Sequence, residues 1–577
     1  MTHAAIAAIA LCWLGGGFVF GQESPPSSAA RGSDLRRVSE VTAPHGMVVA
    51  QEARAARIGV EILQKGGNAV DAAVGVGFAM AVTYPRAGNL GGGGFMLIHL
   101  AQPNKDIAID YRETAPAATR GDIFLDSQGN ADPEKSRFSA LAIGVPGTVD
   151  GLTLAHQKYG SGKFTLADLL APAISLARDG IPVEDDTADS LPEWAGRFAR
   201  WPSSAKIFLR RDGSALREGD ILRQRDLAET LETIAREGPR AFYQGPVAEK
   251  IAAAVQGAGG IMTADDLKNY RAIEREPVRG TYRGYDIVSM PPSSSGGTLL
   301  VEMLNILEGY PAGDRPAGAA SLHLMIEAMK RAYADRAEFL GDPDAVEVPV
   351  GRLTSKHYAA EARRGIDPQR ARASADIQAG RPAREGDNTT HFSVVDQAGN
   401  AVSNTYTLNF SYGVGLVAEG TGVLLNNEMD DFSAKPGAPN AFGLVGGAAN
   451  APAPGKRPLS SMTPTIVLKD GKPFLVTGSP GGSRIITAVL QVIVNVIDRR
   501  MPIGDAVAAP RLHHQWLPDQ VSAESRMPAD LLRGLQARGH AVTTTLGQTS
   551  ANSILATPTG LVGAADPRTR GALAAGY

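Results

Sequence analysis

Residues 387–409 read DNTTHFSVVDQAGNAVSNTYTLN, a pattern that predicts a β-hairpin. One strand covers residues 389–396 and its partner 400–409, both dense in the β-branched residues that suit a pleated surface. Gln397-Ala398-Gly399 forms the turn. With Gly399 in the left-handed position of a three-residue loop, Asp396 pairs with Asn400 and Thr389 faces Thr407. Side chains alternate with period two, so Thr389, Thr407 and Asn409 then share one face. A two-residue loop would put Thr389 on the other face, so the turn decides what this hairpin can do.

A threonine hydroxyl is a weak nucleophile until a base removes its proton. One arrangement needs no second side chain. A threonine that begins a chain uses its own α-amino group, whose unperturbed pKa of about 7.7–8 lies close to working pH. Thr389 lies deep within the 577 residues, so this chemistry requires cleavage between Asn388 and Thr389. Alone, the stretch reads more readily as a threonine-rich strand pair with no chemistry.

The surrounding chain carries further dense stretches. They are GGNAVDAAV from Gly66, GNLGGGGFM from Gly88, DYRETAP from Asp110, PPSSSGG from Pro291 and LLNNEMDDFS from Leu424. RPLSSMTPT follows from Arg457, TGSPGGSRI from Thr477 and HHQWLPD from His513. Together with TTHFSVVD at Thr389, and in this order, they resemble the γ-glutamyltranspeptidases (γ-glutamyltransferases) of the N-terminal-nucleophile hydrolase superfamily.

That resemblance implies an α+β fold, a four-layer αββα sandwich of two stacked, mainly antiparallel sheets. It implies self-cleavage into a large subunit, residues 38–388, and a small one, residues 389–577, which together form one αββα unit and a heterodimer. It implies that Thr389 attacks the γ-glutamyl amide of glutathione and related compounds and passes the glutamyl group to water, an amino acid or a dipeptide. Thr407 would orient Thr389, and Gly481 and Gly482 would supply the oxyanion donors. Arg112, Ser460 and Ser461 would hold the substrate α-carboxylate, a role in which a guanidinium fork matches two oxygens at once. Asn409, Glu428 and Asp431 would contact the α-ammonium. No cofactor, metal or nucleic acid is implied. Phe442 stands where well-known bacterial members carry a tyrosine in a covering loop. The alternatives are a related acylase for glutaryl or cephalosporin-type amides, and an unprocessed, non-catalytic binding protein.

Composition sets outer bounds. With 43% hydrophobic and 20% charged residues the chain is an ordinary large globular protein, and a net charge of −3 gives no electrostatic case for nucleic acid or anionic membranes. The single cysteine, Cys12, lies in the apolar run of residues 4–20, which reads as a signal-peptide core with cleavage near Gly21. Residues 22–37 follow as a flexible lead-in rich in Ser, Pro and Ala. A periplasmic or secreted protein is expected; an N-terminal membrane anchor is the alternative, although the run is short for one.

Along the chain, residues 53–65 and 68–82 predict helices, the second made of small, buried residues. Gly91 to Gly94 lack the Gly-Lys-Ser/Thr of a phosphate loop and predict a tightly packed turn. Leu322, Met325, Ile326, Met329 and Tyr333 form an apolar helical stripe. Residues 363–387, charged and poor in large apolar groups, predict an exposed, mobile segment. Ser203-x-x-Lys206 lacks the partner motifs of penicillin-recognising enzymes and reads as chance. His513 and His514 would point to opposite faces of a strand, which favours structural roles over a metal site.

Overall fold

The computed structural model describes residues 38, 40–312, 317–377 and 389–577. The predicted signal peptide, the lead-in and Asn388 lie outside the described residues. Two seven-stranded sheets, antiparallel at every pairing, form the centre of the molecule. In one, the order is Leu573–Gly576, Met47–Ala50, Thr390–Val395, Ala401–Thr407, Gly93–Leu100, Lys105–Tyr111 and Ile273–Arg275. In the other it is Glu40–Ala43, Gly560–Ala564, Ser553–Thr557, Lys472–Thr477, Thr465–Lys469, Tyr285–Ser289 and Val278–Tyr282.

Period-two alternation explains the layering. Met47, Val49 and Val395 face the second sheet, where they meet Val288, Ile466 and Val476. Their neighbours Val48, Ala50 and Val394 face outward into a core shared with helices α1 (Ala53–Gln64) and α2 (Ala69–Thr83). On the other side Ile287, Val467 and Leu475 face helices α3 (Gly296–Glu308), α4 (Ala319–Phe339) and α5 (Arg484–Ile497). The expected αββα sandwich follows, because the central strands are apolar on both faces and must be covered twice. The predicted stripe on α4 lies in this second helical core.

Every residue of α2 is buried, and its small side chains allow that. A Cβ on Gly75 would lie 2.3 Å from Ile62 Cδ1 of α1. Asn68 caps the helix in a reciprocal capping box with Asp71.

The hairpin has the three-residue turn. Gly399 takes φ +88°, the Asp396 N–H donates to the Asn400 carbonyl at 3.0 Å, and Thr390 pairs with Tyr406. One step further, Thr389 faces Thr407. The strand ends at Thr407, and Asn409 adopts φ +73°. Alternation therefore does not reach Asn409, whose left-handed turn orients it instead.

Over its described part, residues 363–377, the segment before Thr389 is largely exposed, as expected, but it is not loose. It is strapped to the body. Trp516 Nε1 donates to the carbonyls of Ser374 (3.0 Å) and Ile377 (3.1 Å), and the Ser374 N–H donates to Asp519 at 2.8 Å. Lys330 Nζ donates to the Arg372 carbonyl at 2.7 Å, and the His323 ring, paired with His540 at 2.7 Å, bonds the Asp367 carbonyl at 2.8 Å. Backbone carbonyls and one backbone N–H make these polar contacts, which hydropathy does not reveal, while Ile366 and Ile377 add apolar packing against the second helical core. Residues 378–387 lie outside the described part. Glu327, within 4.8 Å of the His323–His540 pair, is already neutralised by Lys330 at 3.2 Å and Arg331 at 3.0 Å, and serves as part of the same clamp.

Candidate active site

Thr389 immediately precedes a central strand and Thr407 ends its partner. Arg112 follows directly on Lys105–Tyr111, two strands away. Glu428 and Asp431 bound a single 3₁₀ turn. Ser460 and Ser461 precede the strand Thr465–Lys469 of the facing sheet, and Gly482 lies two residues before α5. These residues and Asn409, with Phe442 and Leu444, line one small cavity of about 20 Å³. Of the predicted residues in the described chain, only Gly481 stands back from this lining, one position behind Gly482.

Close packing fixes the hairpin beside the cavity. Asn89 Nδ2 donates to the Thr407 carbonyl at 2.8 Å, and its Oδ1 accepts the Gly92 N–H at 2.9 Å. A Cβ on Gly92 would sit 2.1 Å from that same carbonyl, which explains the glycine run without any phosphate. Thr407 Oγ1 accepts the Asn409 N–H at 2.8 Å, tying the last residue of the strand to the turn that follows.

Gly481 and Gly482 have φ +112° and +53°, a turn open to glycine, and their N–H groups have no acceptor among the described residues. They precede the N-terminal end of α5, where the helix dipole adds positive potential.

Arg112 is fully buried and forms ion pairs with both Glu428 and Asp431, while its Nε donates to the Pro458 carbonyl at 3.0 Å. Glu113 lies 3.9 Å from Arg112 Nη1, with neither oxygen hydrogen-bonded among the described residues. Burial pushes its carboxyl up to about 8, against the pull of Arg112. Burial raises Glu428 and Asp431 as well, with Arg112 opposing. The subsite is thus a buried charge cluster in which one cation meets several carboxyls.

His391 neighbours Thr390 in sequence but points between the sheets, bonded to Thr405 Oγ1 at 2.8 Å and Ser393 Oγ at 3.0 Å. Burial lowers it to about 3, so it is a neutral structural group. His513 bonds Thr487 at 2.8 Å, and His514 lies 3.3 Å from Asp519. Ser203 donates to the Val417 carbonyl at 2.7 Å, and Lys206 lies 3.8 Å from Asp226, so that pair is structural too.

Several contacts were not readable beforehand. The loop over the cavity is pinned without a tyrosine hydroxyl at position 442. Asn440 Oδ1 accepts the N–H groups of Phe442 (2.9 Å) and Leu444 (3.2 Å), its Nδ2 donates to Asp431 at 3.3 Å, and Gln515 donates to the Phe442 carbonyl at 3.1 Å. The Phe442 ring lies over Gly482, where a Cβ would come within 2.4 Å of it, and meets Phe410 edge-on at 6.0 Å. Arg336 of α4, absent from the sequence reading, reaches Ser461 from behind. Its only sequence signal is a cation in a helix that is buried on most sides.

Two helix-covered antiparallel sheets, with a threonine at the head of a central strand facing a cavity lined by charged and hydroxyl side chains, define an N-terminal-nucleophile hydrolase. Residues 55–576 match the family model described as Gamma-glutamyltranspeptidase, and the chain belongs to that family. It is 52% identical to the glutathione hydrolase proenzyme of Escherichia coli (strain K12), over 96% of this chain and 95% of that one. Among solved structures, cephalosporin acylase from Bacillus halodurans superposes with a TM-score of 0.82 at 29% identity, covering 96% of this chain and 99% of that one. The Helicobacter pylori γ-glutamyltranspeptidase structure is 44% identical with a TM-score of 0.55, over 56% of this chain and 93% of that one. Among the described residues no helix is long and apolar enough to cross a membrane.

Proposed function

We propose that this protein is an autoprocessing γ-glutamyltransferase and glutathione hydrolase with Thr389 as its nucleophile. One observation carries this: a single cavity gathers a threonine, an adjacent hydroxyl, a backbone N–H donor and a buried cluster of both charges. In processing, Thr389 Oγ attacks the Asn388 carbonyl carbon, the Thr389 nitrogen leaves that carbon, and water hydrolyses the resulting ester. The products are a large subunit ending at Asn388 and a small one beginning with a free amine, held as a heterodimer by the shared sheets.

In turnover that amine takes the Oγ proton while Oγ attacks the γ-carbonyl carbon of glutathione. The Gly481 and Gly482 N–H groups stabilise the oxyanion, each such donor lowering the barrier by about 2.7–4 kcal/mol. The C–N bond breaks, cysteinylglycine departs with the proton, and a γ-glutamyl ester remains on Thr389. Water then releases glutamate, or an amino acid or dipeptide amine takes the glutamyl group. Thr407 orients Thr389. Arg112, Ser460 and Ser461 bind the α-carboxylate, and Asn409, Glu428 and Asp431 the α-ammonium.

The likeness to a cephalosporin acylase favours a second reading, an acylase for glutaryl-type amides. The Arg112–Asp431 pair supports the first, because it suits a zwitterionic head group. Purified protein is expected to run as two pieces, the smaller starting at Thr389, and to release glutamate from glutathione, with faster donor consumption when glycylglycine is added. Thr389→Ala should remain one chain. Division of that variant at Asn388 would overturn the assignment.

A further inference from the structure

Arg336 lies in the last third of α4 and is 3% exposed, yet among the described residues no carboxylate lies within 4 Å of its guanidinium. An unpaired buried cation is costly, and such groups persist where they meet a charge from elsewhere. Its two recorded side-chain contacts lead to the same place. Nη2 donates to Ser461 Oγ at 3.4 Å. Nε donates to Ser295 Oγ at 3.0 Å, and Ser295 Oγ donates to the Ser460 carbonyl at 2.8 Å. One guanidinium thereby braces both serines of the carboxylate subsite, one through its hydroxyl and the other through a relay.

The hydroxyl geometry has a consequence. Ser461 Oγ has one proton and two lone pairs; Arg336 occupies a lone pair, and no other group among the described residues bonds that oxygen. Its proton is left to point into the cavity that Ser461 lines. Ser460 Oγ accepts the Met462 N–H at 3.0 Å, which leaves its proton for the cavity in the same way. Arg112, the other cation here, is already engaged by Glu428 and Asp431. A substrate α-carboxylate therefore meets an arginine ion-paired with two acids in front and, behind the serines, one that Asp431 influences only from beyond 4 Å.

We propose that Arg336 is a positioning residue for the α-carboxylate: it orients the Ser460 and Ser461 hydroxyls as donors and supplies the positive charge that Arg112 shares with acids. This rests on the γ-glutamyl reading of the same cavity. Burial lowers the Arg336 guanidinium only to about 10, so it stays charged at neutral pH.

The test uses two anilide donors on the processed, two-chain protein: a γ-glutamyl anilide and a 4-aminobutyryl anilide, which lacks only the α-carboxylate. Arg336→Met keeps an apolar stem and removes the charge. It is expected to lower kcat/KM for the γ-glutamyl donor by roughly tenfold to a hundredfold, mostly through KM, while the 4-aminobutyryl donor changes less than about twofold. Arg336→Lys should recover part of the loss, since it returns the charge without the fork. Ser295→Ala, which cuts only the relay, should give a smaller loss with the same selectivity. An equal fall for both donors would reduce Arg336 to a structural role and overturn the proposal. Should Arg336→Met fail to fold or process, Ser295→Ala decides: selective loss supports the proposal, and no loss or an equal loss overturns it. Wild-type protein inactive on the γ-glutamyl anilide would instead refute the functional reading itself.

Discussion

Asp431 is the residue whose surroundings most change what its substitution should do. One oxygen pairs with Arg112, and the other accepts from Asn440 Nδ2 at 3.3 Å. A glutaryl donor, lacking the ammonium, therefore leaves Asp431 without one partner but not without all. An unsatisfied buried group costs about 1–3 kcal/mol, and the retained partners keep Asp431 near the low end, so wild-type preference for γ-glutamyl over glutaryl donors is expected near tenfold. Asp431→Asn should raise KM for the γ-glutamyl donor and narrow that preference, with cleavage at Asn388 intact. The measurement is kcat/KM for both donors on two-chain protein. An unchanged ratio would assign the ammonium contact to Glu428 or Asn409.

At the scale of the element, the loop of residues 436–447 closes over Gly482 and depends on Asn440. Its Oδ1 holds two backbone N–H groups, so Asn440→Ala strands both and releases Asp431. With each lost hydrogen bond worth about 0.5–1.5 kcal/mol, KM for the donor should rise roughly threefold to tenfold, and limited proteolysis should cut this loop sooner. Processing should survive, because the hairpin contacts through Asn89 do not involve the loop. Unchanged KM and unchanged cutting would transfer the anchoring to Gln515 and to Asp430, which accepts the Ala441 N–H at 3.1 Å.

The whole molecule carries a pH signature from histidines buried at two places, His391 between the sheets and His514 with His540 beside the strap. His391 between the sheets and His540 beside the strap are each lowered to about 3, and His514 to about 4, with burial the main cause. Unfolded, each binds a proton below about 6.5, so the unfolded chain holds more protons between that value and 3–4. The stability these groups contribute is full above pH 6.5 and is lost as pH falls, by about 1.4 kcal/mol per pH unit for each. Glu113, raised to about 8, acts oppositely and costs stability as pH rises toward that value. Tm followed from pH 8.5 to 4.5 should peak near neutrality and fall steeply below pH 6. A flat Tm between pH 7 and 5 would mean that these histidines protonate in the folded state.

What the sequence determined by itself is local. Gly399 set a three-residue turn, the turn set the register, and the register put Thr389 across from Thr407, all within about twenty residues of chain. The helices at residues 53–64 and 69–83 were legible for the same reason, as apolar spacing and small-residue density are properties of neighbouring positions. The site residues were legible only through likeness to a family, since nothing in the spacing of Arg112, Asp431 and Ser461 announces a common cavity. Tertiary structure alone decided the rest. It brought Arg336 behind Ser460 and Ser461, pinned through Asn440 and Gln515 a loop that Phe442 leaves without a tyrosine hydroxyl, and strapped down residues 363–377, which composition made look loose. Each of those outcomes is a hydrogen bond between distant groups, often to a backbone carbonyl. Every residue has such a carbonyl, so no pattern of residue types reveals which one will be used.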